Sequence, residues 1–153
     1  VLRTSWVYAA RGHNFAKTML RLATERDSLN VVADQYGAPT GAELIADVTA
    51  QILHRVRADQ NPAALAGIYH LAAAGETSWH GFAKFVLEHA ARNGVALKVA
   101  PDQIGAIPTE AYPVPAPRPR NSRLALAKLE TVFQLKMPSW QQGAQRMLDE
   151  IQR

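Results

Sequence analysis

Short apolar runs alternate with segments of helical period along this chain, and that alternation restricts it to an α/β fold. Residues 1–8 carry β-branched and aromatic side chains and read as a first strand. Phe15, Met19 and Leu22 then recur at helical spacing, with Lys17, Arg21 and Glu25 on the other faces. Asn14 just before them is a suitable N-cap, because its side chain can accept from a free first-turn amide. Residues 29–33 form a second apolar run, which leads into the polar loop Asp34-Gln-Tyr-Gly-Ala-Pro-Thr40. Thr40-Gly-Ala-Glu43 has the spacing of a capping box, and the helix it opens sets Ile45, Val48, Ile52 and Val56 on one face. A third strand is expected over 67–73, turned by Gly75-Glu-Thr-Ser78. The cleanest helix follows, with Trp79, Phe82, Ala83, Val86, Leu87 and Ala90 keeping the 3.6 period, closed by Gly94.

The pattern weakens after that point. Residues 95–99 suit a short fourth strand, and residues 101–119 contain six prolines without periodicity. Fixed φ angles and missing donors argue against helix and interior strand there, so an extended loop is expected. That loop ends in Arg118-Pro-Arg-Asn-Ser-Arg-Leu124. A helix over 125–132 follows, and Pro138-Ser139 opens a last one with Trp140, Ala144, Met147, Leu148 and Ile151 inward.

Residues 1–15 are where a ligand site is expected first. The opening strand runs out into a loop bearing Thr4, Ser5, Trp6, Tyr8 and Asn14, and open α/β sheets bind ligands beyond strand ends. The chain starts in a strand without an initiator Met, which reads as a piece of a longer protein.

Composition narrows the function classes. With 153 residues, 48% hydrophobic and 20% charged, the chain suits one ordinary domain with a real core. No apolar run approaches the roughly 20 residues of a membrane span. The absence of cysteine excludes disulfides and thiolate metal sites and suits a reducing, cytoplasmic setting. A net charge of +4 admits a phosphate-bearing ligand but is too small to indicate nucleic-acid binding by itself.

Recognisable catalytic motifs are missing. There is no Gly-x-Gly-x-x-Gly turn for a dinucleotide and no Gly-x-Ser-x-Gly elbow. No tyrosine has a lysine four residues on, and the five histidines lack metal-ligand spacing.

A set of ordered blocks supplies context for those absences. They are Arg3-Thr-Ser-Trp-Val-Tyr8, Asn14-Phe-Ala-Lys-Thr-Met-Leu-Arg-Leu-Ala23, Asp34-Gln-Tyr-Gly-Ala-Pro-Thr-Gly-Ala-Glu43 and Gly67-Ile-Tyr-His-Leu71, then Pro108-Thr-Glu-Ala-Tyr-Pro113, Arg118-Pro-Arg-Asn-Ser-Arg-Leu124 and Pro138-Ser-Trp140. In this order they closely resemble the C-terminal half of the dTDP-4-dehydrorhamnose reductase family, within the extended short-chain dehydrogenase/reductases. The resemblance implies an extended Rossmann-like fold in which residues 1–153 form a single substrate-binding region that includes the last part of the sheet. It also implies an N-terminal half, outside this chain, that holds the Gly-rich NADPH turn and the catalytic Thr/Ser, Tyr and Lys. The family reaction is hydride transfer from NADPH to the C4 ketone of dTDP-4-dehydro-L-rhamnose, for rhamnose supply to surface polysaccharide. A homodimer is implied for the full-length protein. The same fold also serves as a non-catalytic partner of methionine adenosyltransferase, which is the alternative reading. A third class, nucleic-acid binding through residues 118–123, would announce itself by steep salt dependence.

The resemblance also implies roles for particular residues. Trp6 is matched to a tryptophan that contacts the substrate's sugar, against the plain alternative of a core aromatic. Thr4 and Ser5 are placed beside the nicotinamide end of the cofactor, or else are hydroxyls closing a strand end. Asn14 is a helix cap, a polar group near the pyrophosphate, or both. Asp34, Gln35 and Thr40 occupy a loop suited to facing substrate, Gln35 being the residue assigned to it, while Asp34 equally suits an Asx turn. Of Arg118, Arg120 and Arg123, at least one is expected on the diphosphate, with Arg118 and Arg120 as the assigned pair, since guanidinium binds phosphate bidentately. Glu43 and Glu150 are implied ligands of a Mg²⁺ at a dimer interface, the hard oxygen donors such an ion takes. Trp79, Phe82 and Trp140 are expected in the core.

Overall fold

A computed structural model describes residues 1–151. Its elements run β1 (Leu2–Arg3), β2 (Val7–Tyr8), α1 (Phe15–Glu25), β3 (Asn30–Val32), β4 (Tyr36–Gly37), β5 (Thr40–Gly41) and α2 (Ala42–Ala58). There follow β6 (Tyr69–His70), β7 (Thr77–Ser78), α3 (Trp79–Arg92), β8 (Gly105–Ile107), α4 (Ala127–Phe133) and α5 (Trp140–Ile151). Single 3₁₀ turns lie at Pro62–Leu65, Pro101–Gln103 and Thr109–Ala111. The expected α/β class holds, with strands shorter than the sequence pattern suggests.

The strands pair two by two. β1 lies parallel to β6, β2 to β5 and β3 to β8, while β4 and β7 are antiparallel. The first strand expected over 1–8 is thus two strands with different partners. The break falls at Trp6, whose φ of 52° is left-handed, a costly conformation for a bulky side chain. Its carbonyl is retained as an acceptor for the Thr40 amide at 3.0 Å.

Helix starts are well explained by local chemistry. Asn14 Oδ1 accepts from the Lys17 amide at 3.1 Å, and Ser78 Oγ from the Gly81 amide at 3.0 Å, each satisfying a first-turn donor. α3 ends at Arg92 with Asn93 as its C-cap, and Gly94 with φ +79° makes the left-handed exit.

The expected capping box at Thr40–Glu43 does not form. Thr40 is fully buried in β5, where Oγ1 donates to the Ala38 carbonyl (3.0 Å) and accepts from the Ala73 amide (3.2 Å). A hydroxyl spent on two buried backbone groups cannot turn to the helix. Gly41 is therefore the N-cap, without side-chain help, and Glu43 points outward to Arg146.

The proline-rich stretch also departs from expectation. Residues 95–99 form no strand, but Gly105–Ile107 does, pairing in parallel with Asn30–Val32. Its location between Pro101 and Pro108 leaves three consecutive residues free to join a ladder, which ends as the Ala33 amide donates to the Ile107 carbonyl at 2.9 Å. The expected strand over 67–73 is reduced to two residues, although Leu71, Ala72 and Ala73 beyond them are buried.

Two apolar clusters hold these elements. One joins α1, α3, α5 and β3 around Met19, Phe82, Val86, Leu87, Met147 and Leu148. The other joins α2, α4 and β6 around Val48, Tyr69, Leu129 and Phe133, and Leu44 touches both. Among the described residues no helix is long and apolar enough to cross a membrane.

Candidate functional site

A cavity of about 590 Å³ opens between α1, β3 and the proline-rich stretch. Pockets that hold ligands of nucleotide size fall in the range of about 300–1,000 Å³. One wall is formed from α1 by Phe15, Thr18, Met19 and Leu22, continued by Trp79 at the start of α3. The floor is β3 with Gln35, and the remaining wall carries Ile107, Tyr112, Val114 and Arg118. Apolar and aromatic sides suit a flat ring, and the two guanidiniums in the lining, Arg26 and Arg118, suit an anion.

The two tryptophans differ in how they stand to the cavity. Trp79, expected in the core, is the one that lines the cavity. Trp6 stacks on it at 3.7 Å between ring centroids and 11° between planes, and is not itself among the lining residues. Gly37 presses against Trp6 so closely that a Cβ there would lie 2.6 Å from indole Cε2. Trp79 also meets Phe15 at 4.7 Å, so Trp6, Trp79 and Phe15 form a row of three contacting rings, of which the last two line the cavity. The periodicity that marked Trp79 as apolar face could not show that this end of the helix faces a cavity.

The polar candidates separate by their partners. Asn14 spends both ends of its amide on structure, capping α1 through Oδ1 and donating Nδ2–H to the Ala9 carbonyl at 2.7 Å. Ser5 Oγ donates to the Ser122 carbonyl at 3.2 Å, whereas Thr4 is exposed and its hydroxyl has no partner among the described residues. Gln35 is buried, lines the cavity, and donates Nε2–H to Thr109 Oγ1 at 3.2 Å. Asp34 Oδ1 accepts from both the amide and the hydroxyl of Thr109, at 2.9 and 2.7 Å. The Thr109 hydroxyl bond, with help from Arg120, holds the Asp34 carboxyl below the usual carboxylate range. Its stabilising contribution is present above the ordinary pKa of about 3.9 and is lost only as pH falls through the lower folded value.

The three arginines differ most. Arg120 pairs with Asp34 at 3.5 Å and with Glu110. Arg123 pairs with Glu76 at 2.8 Å, bonds Asn121, and lies 5.8 Å from the Tyr36 ring centroid. Arg118 alone of the three has no acid partner among the described residues, and it alone lines the cavity.

The two glutamates do not make a metal site by themselves. Glu43 is 3.3 Å from Arg146, a cation already occupying its carboxylate, and Glu150 is exposed on α5. Among the described residues no group of three or more His, Asp or Glu side chains could hold a metal ion.

Comparison with known proteins follows the same outline. Residues 1–153 match the family described as the RmlD substrate binding domain. The chain is 54% identical over 151 residues to the dTDP-4-dehydrorhamnose reductase of Shigella flexneri, covering 99% of this chain and 49% of that protein. A Bacillus anthracis dTDP-4-dehydrorhamnose reductase solved in complex with NADP superposes with TM-score 0.77 at 36% identity, over 97% of this chain and 47% of that one. A Clostridium acetobutylicum reductase of the same name superposes with TM-score 0.83 at 29% identity, over 99% of this chain and 48% of that one. The chain spans about half the length of the relatives it matches.

Proposed function

The chain belongs to the RmlD substrate binding domain family, and from that premise we propose that it is the substrate-binding part of an NADPH-dependent reductase. The reaction assigned is reduction of dTDP-4-dehydro-L-rhamnose to dTDP-L-rhamnose. The observation that carries this reading is Arg118, which has no acid partner among the described residues and, with Arg26, lines an aromatic-walled cavity of about 590 Å³. Residues 1–153 act as one substrate-binding unit, and the Gly-rich turn and the Tyr/Lys pair belong to a cofactor-binding half that this sequence does not include.

NADPH, when bound, supplies the hydride that reduces the C4 ketone. The residues of this chain bind and orient. The cavity between α1 and β3 takes the nucleotide, with the Phe15, Trp79 and Tyr112 rings against its flat base. Arg118 meets the diphosphate, whose two negative charges suit a fork of N–H donors. Thr4, just after β1 and with a hydroxyl that has no partner among the described residues, is the better candidate than Ser5 for a place beside the nicotinamide. Trp6 acts mainly by holding Trp79 upright through their stack. Such positioning raises rate by fixing orientation before reaction.

The test is calorimetric titration of the 153-residue chain with dTDP-L-rhamnose, followed by an assay with NADPH and the 4-dehydro sugar. Binding without turnover is expected. Turnover by this chain alone would overturn the division of labour, and absence of binding would overturn the site. In the enzyme completed by its cofactor-binding half, Trp6→Ala is expected to lower kcat/KM about tenfold, the scale of one aromatic pair, with NADPH affinity unchanged. An unchanged kcat/KM would count against Trp6.

A further inference from the structure

We propose that Asp34 and Thr109 are positioning residues for nucleotide-sugar binding: they fasten a strap, residues 110–119, whose side chains form one wall of the cavity. The inference rests on the reading of that cavity as the nucleotide-sugar site.

The strap leaves and returns to the same three residues. At its start, the parallel ladder of β3 and β8 gives out after the Ala33 amide meets the Ile107 carbonyl. Side chains then take over. Thr109 gives its amide and hydroxyl to Asp34 Oδ1, at 2.9 and 2.7 Å, and its Oγ1 accepts from Gln35 at 3.2 Å. At its end, the Tyr36 amide donates to the Arg120 carbonyl and the Ser122 amide to the Tyr36 carbonyl, both at 2.8 Å. Arg120 closes the ring by pairing with both Asp34 and Glu110. Residues 34–36 therefore hold both ends of the excursion.

Between those anchors the strap has little of its own to hold it. Tyr112 is 57% exposed, and the Ala111 and Tyr112 amides bond only within the turn, to Pro108 and Thr109. Yet this is the segment that brings Tyr112, Val114 and Arg118 to the cavity. Its four prolines, at 113, 115, 117 and 119, stiffen it, so fixing the ends fixes the middle. Thr109 sits where a single hydroxyl links strap, acid and cavity floor, and Asp34 is the acceptor it needs.

Thr109→Val keeps the shape and the amide bond but removes both hydroxyl bonds. Hydrogen exchange of the Ala111 and Tyr112 amides should quicken by about tenfold, and the Kd for dTDP-L-rhamnose should rise by about the same factor, as expected for two ordinary hydrogen bonds. Thr109→Ser should restore both, which a loss of general packing would not allow. Asp34→Ala, removing the acceptor from the other side, should reproduce both changes. If the unmodified chain binds dTDP-L-rhamnose and both variants bind it equally well, the positioning role is wrong. If the variants bind more weakly while strap exchange stays as it was, the strap is not what Thr109 holds, and the proposal also falls. Failure of the unmodified chain to bind would instead refute the reading of the cavity, and the strap's role with it.

Discussion

Arg118→Ala is expected to weaken binding of dTDP-L-rhamnose by roughly 10- to 100-fold, the range of a hydrogen bond to a charged group, while leaving the thermal midpoint of the chain unchanged. The two halves of that expectation have separate causes. Arg118 is exposed and makes no ion pair among the described residues, so the folded chain loses nothing when the guanidinium goes. A diphosphate at the cavity rim loses a bidentate, charge-assisted partner. Arg120→Ala and Arg123→Ala are the informative controls. Each breaks an existing pair, with Asp34 and Glu110 in one case and Glu76 in the other. Arg120 should then affect binding only through the strap it helps to close. Calorimetry on the three variants ranks them, and an Arg120 or Arg123 effect larger than that of Arg118 would move the anion site. The Arg118 effect should also shrink in added salt, because an exposed pair is screened over about 8–10 Å at physiological ionic strength.

That ranking shows where sequence reading stopped. Three arginines within six residues look alike in a sequence, since Glu76, Glu110 and Asp34 come beside them only through the fold. Helices were legible for the opposite reason: their signals are local. Asn14 and Ser78 cap within three residues, and the stripe from Phe82 to Ala90 needs only its own period. Thr40 had the right neighbours for a capping box, but its burial in β5 against Ala38 and Ala73 overrode them. Gly105–Ile107 was hidden by its prolines, since strand pairing depends on Asn30–Val32 far away in sequence. The placement of Trp79, rather than Trp6, on the cavity wall has the same origin. Apolar periodicity assigns Trp79 to a buried face, and only the arrival of α1 and β3 leaves a cavity in front of it.

Phe82→Ala is expected to cost about 3–5 kcal/mol of folding stability, the range for emptying a large buried aromatic site. Domains of this size have about 5–15 kcal/mol in total, so the variant should stand at the edge of unfolding. Phe82 is 2% exposed and sits where three elements converge. Its ring lies 5.6 Å from Phe15 on α1, 5.8 Å from Trp140 on α5 and 6.1 Å from Tyr8 on β2. Ala16, Ala83 and Ala144 in the same cluster are fully buried, and side chains so short cannot swing in to refill the space. The cavity left would therefore remain largely open, which puts the cost towards the upper end. Phe15 and Trp79 line the ligand cavity and lean on this ring, one directly and one through the other. Loss of stability should therefore be accompanied by weaker binding in whatever fraction stays folded. Urea unfolding measures the first effect, as a lower midpoint at unchanged slope. Leu53→Ala, at a position 56% exposed on α2, is the matched control and should change the folding stability by no more than about 0.5 kcal/mol, with the midpoint close to that of the parent chain. A Phe82→Ala midpoint as close to that of the parent chain would mean that α1, α3 and α5 do not share the core described above.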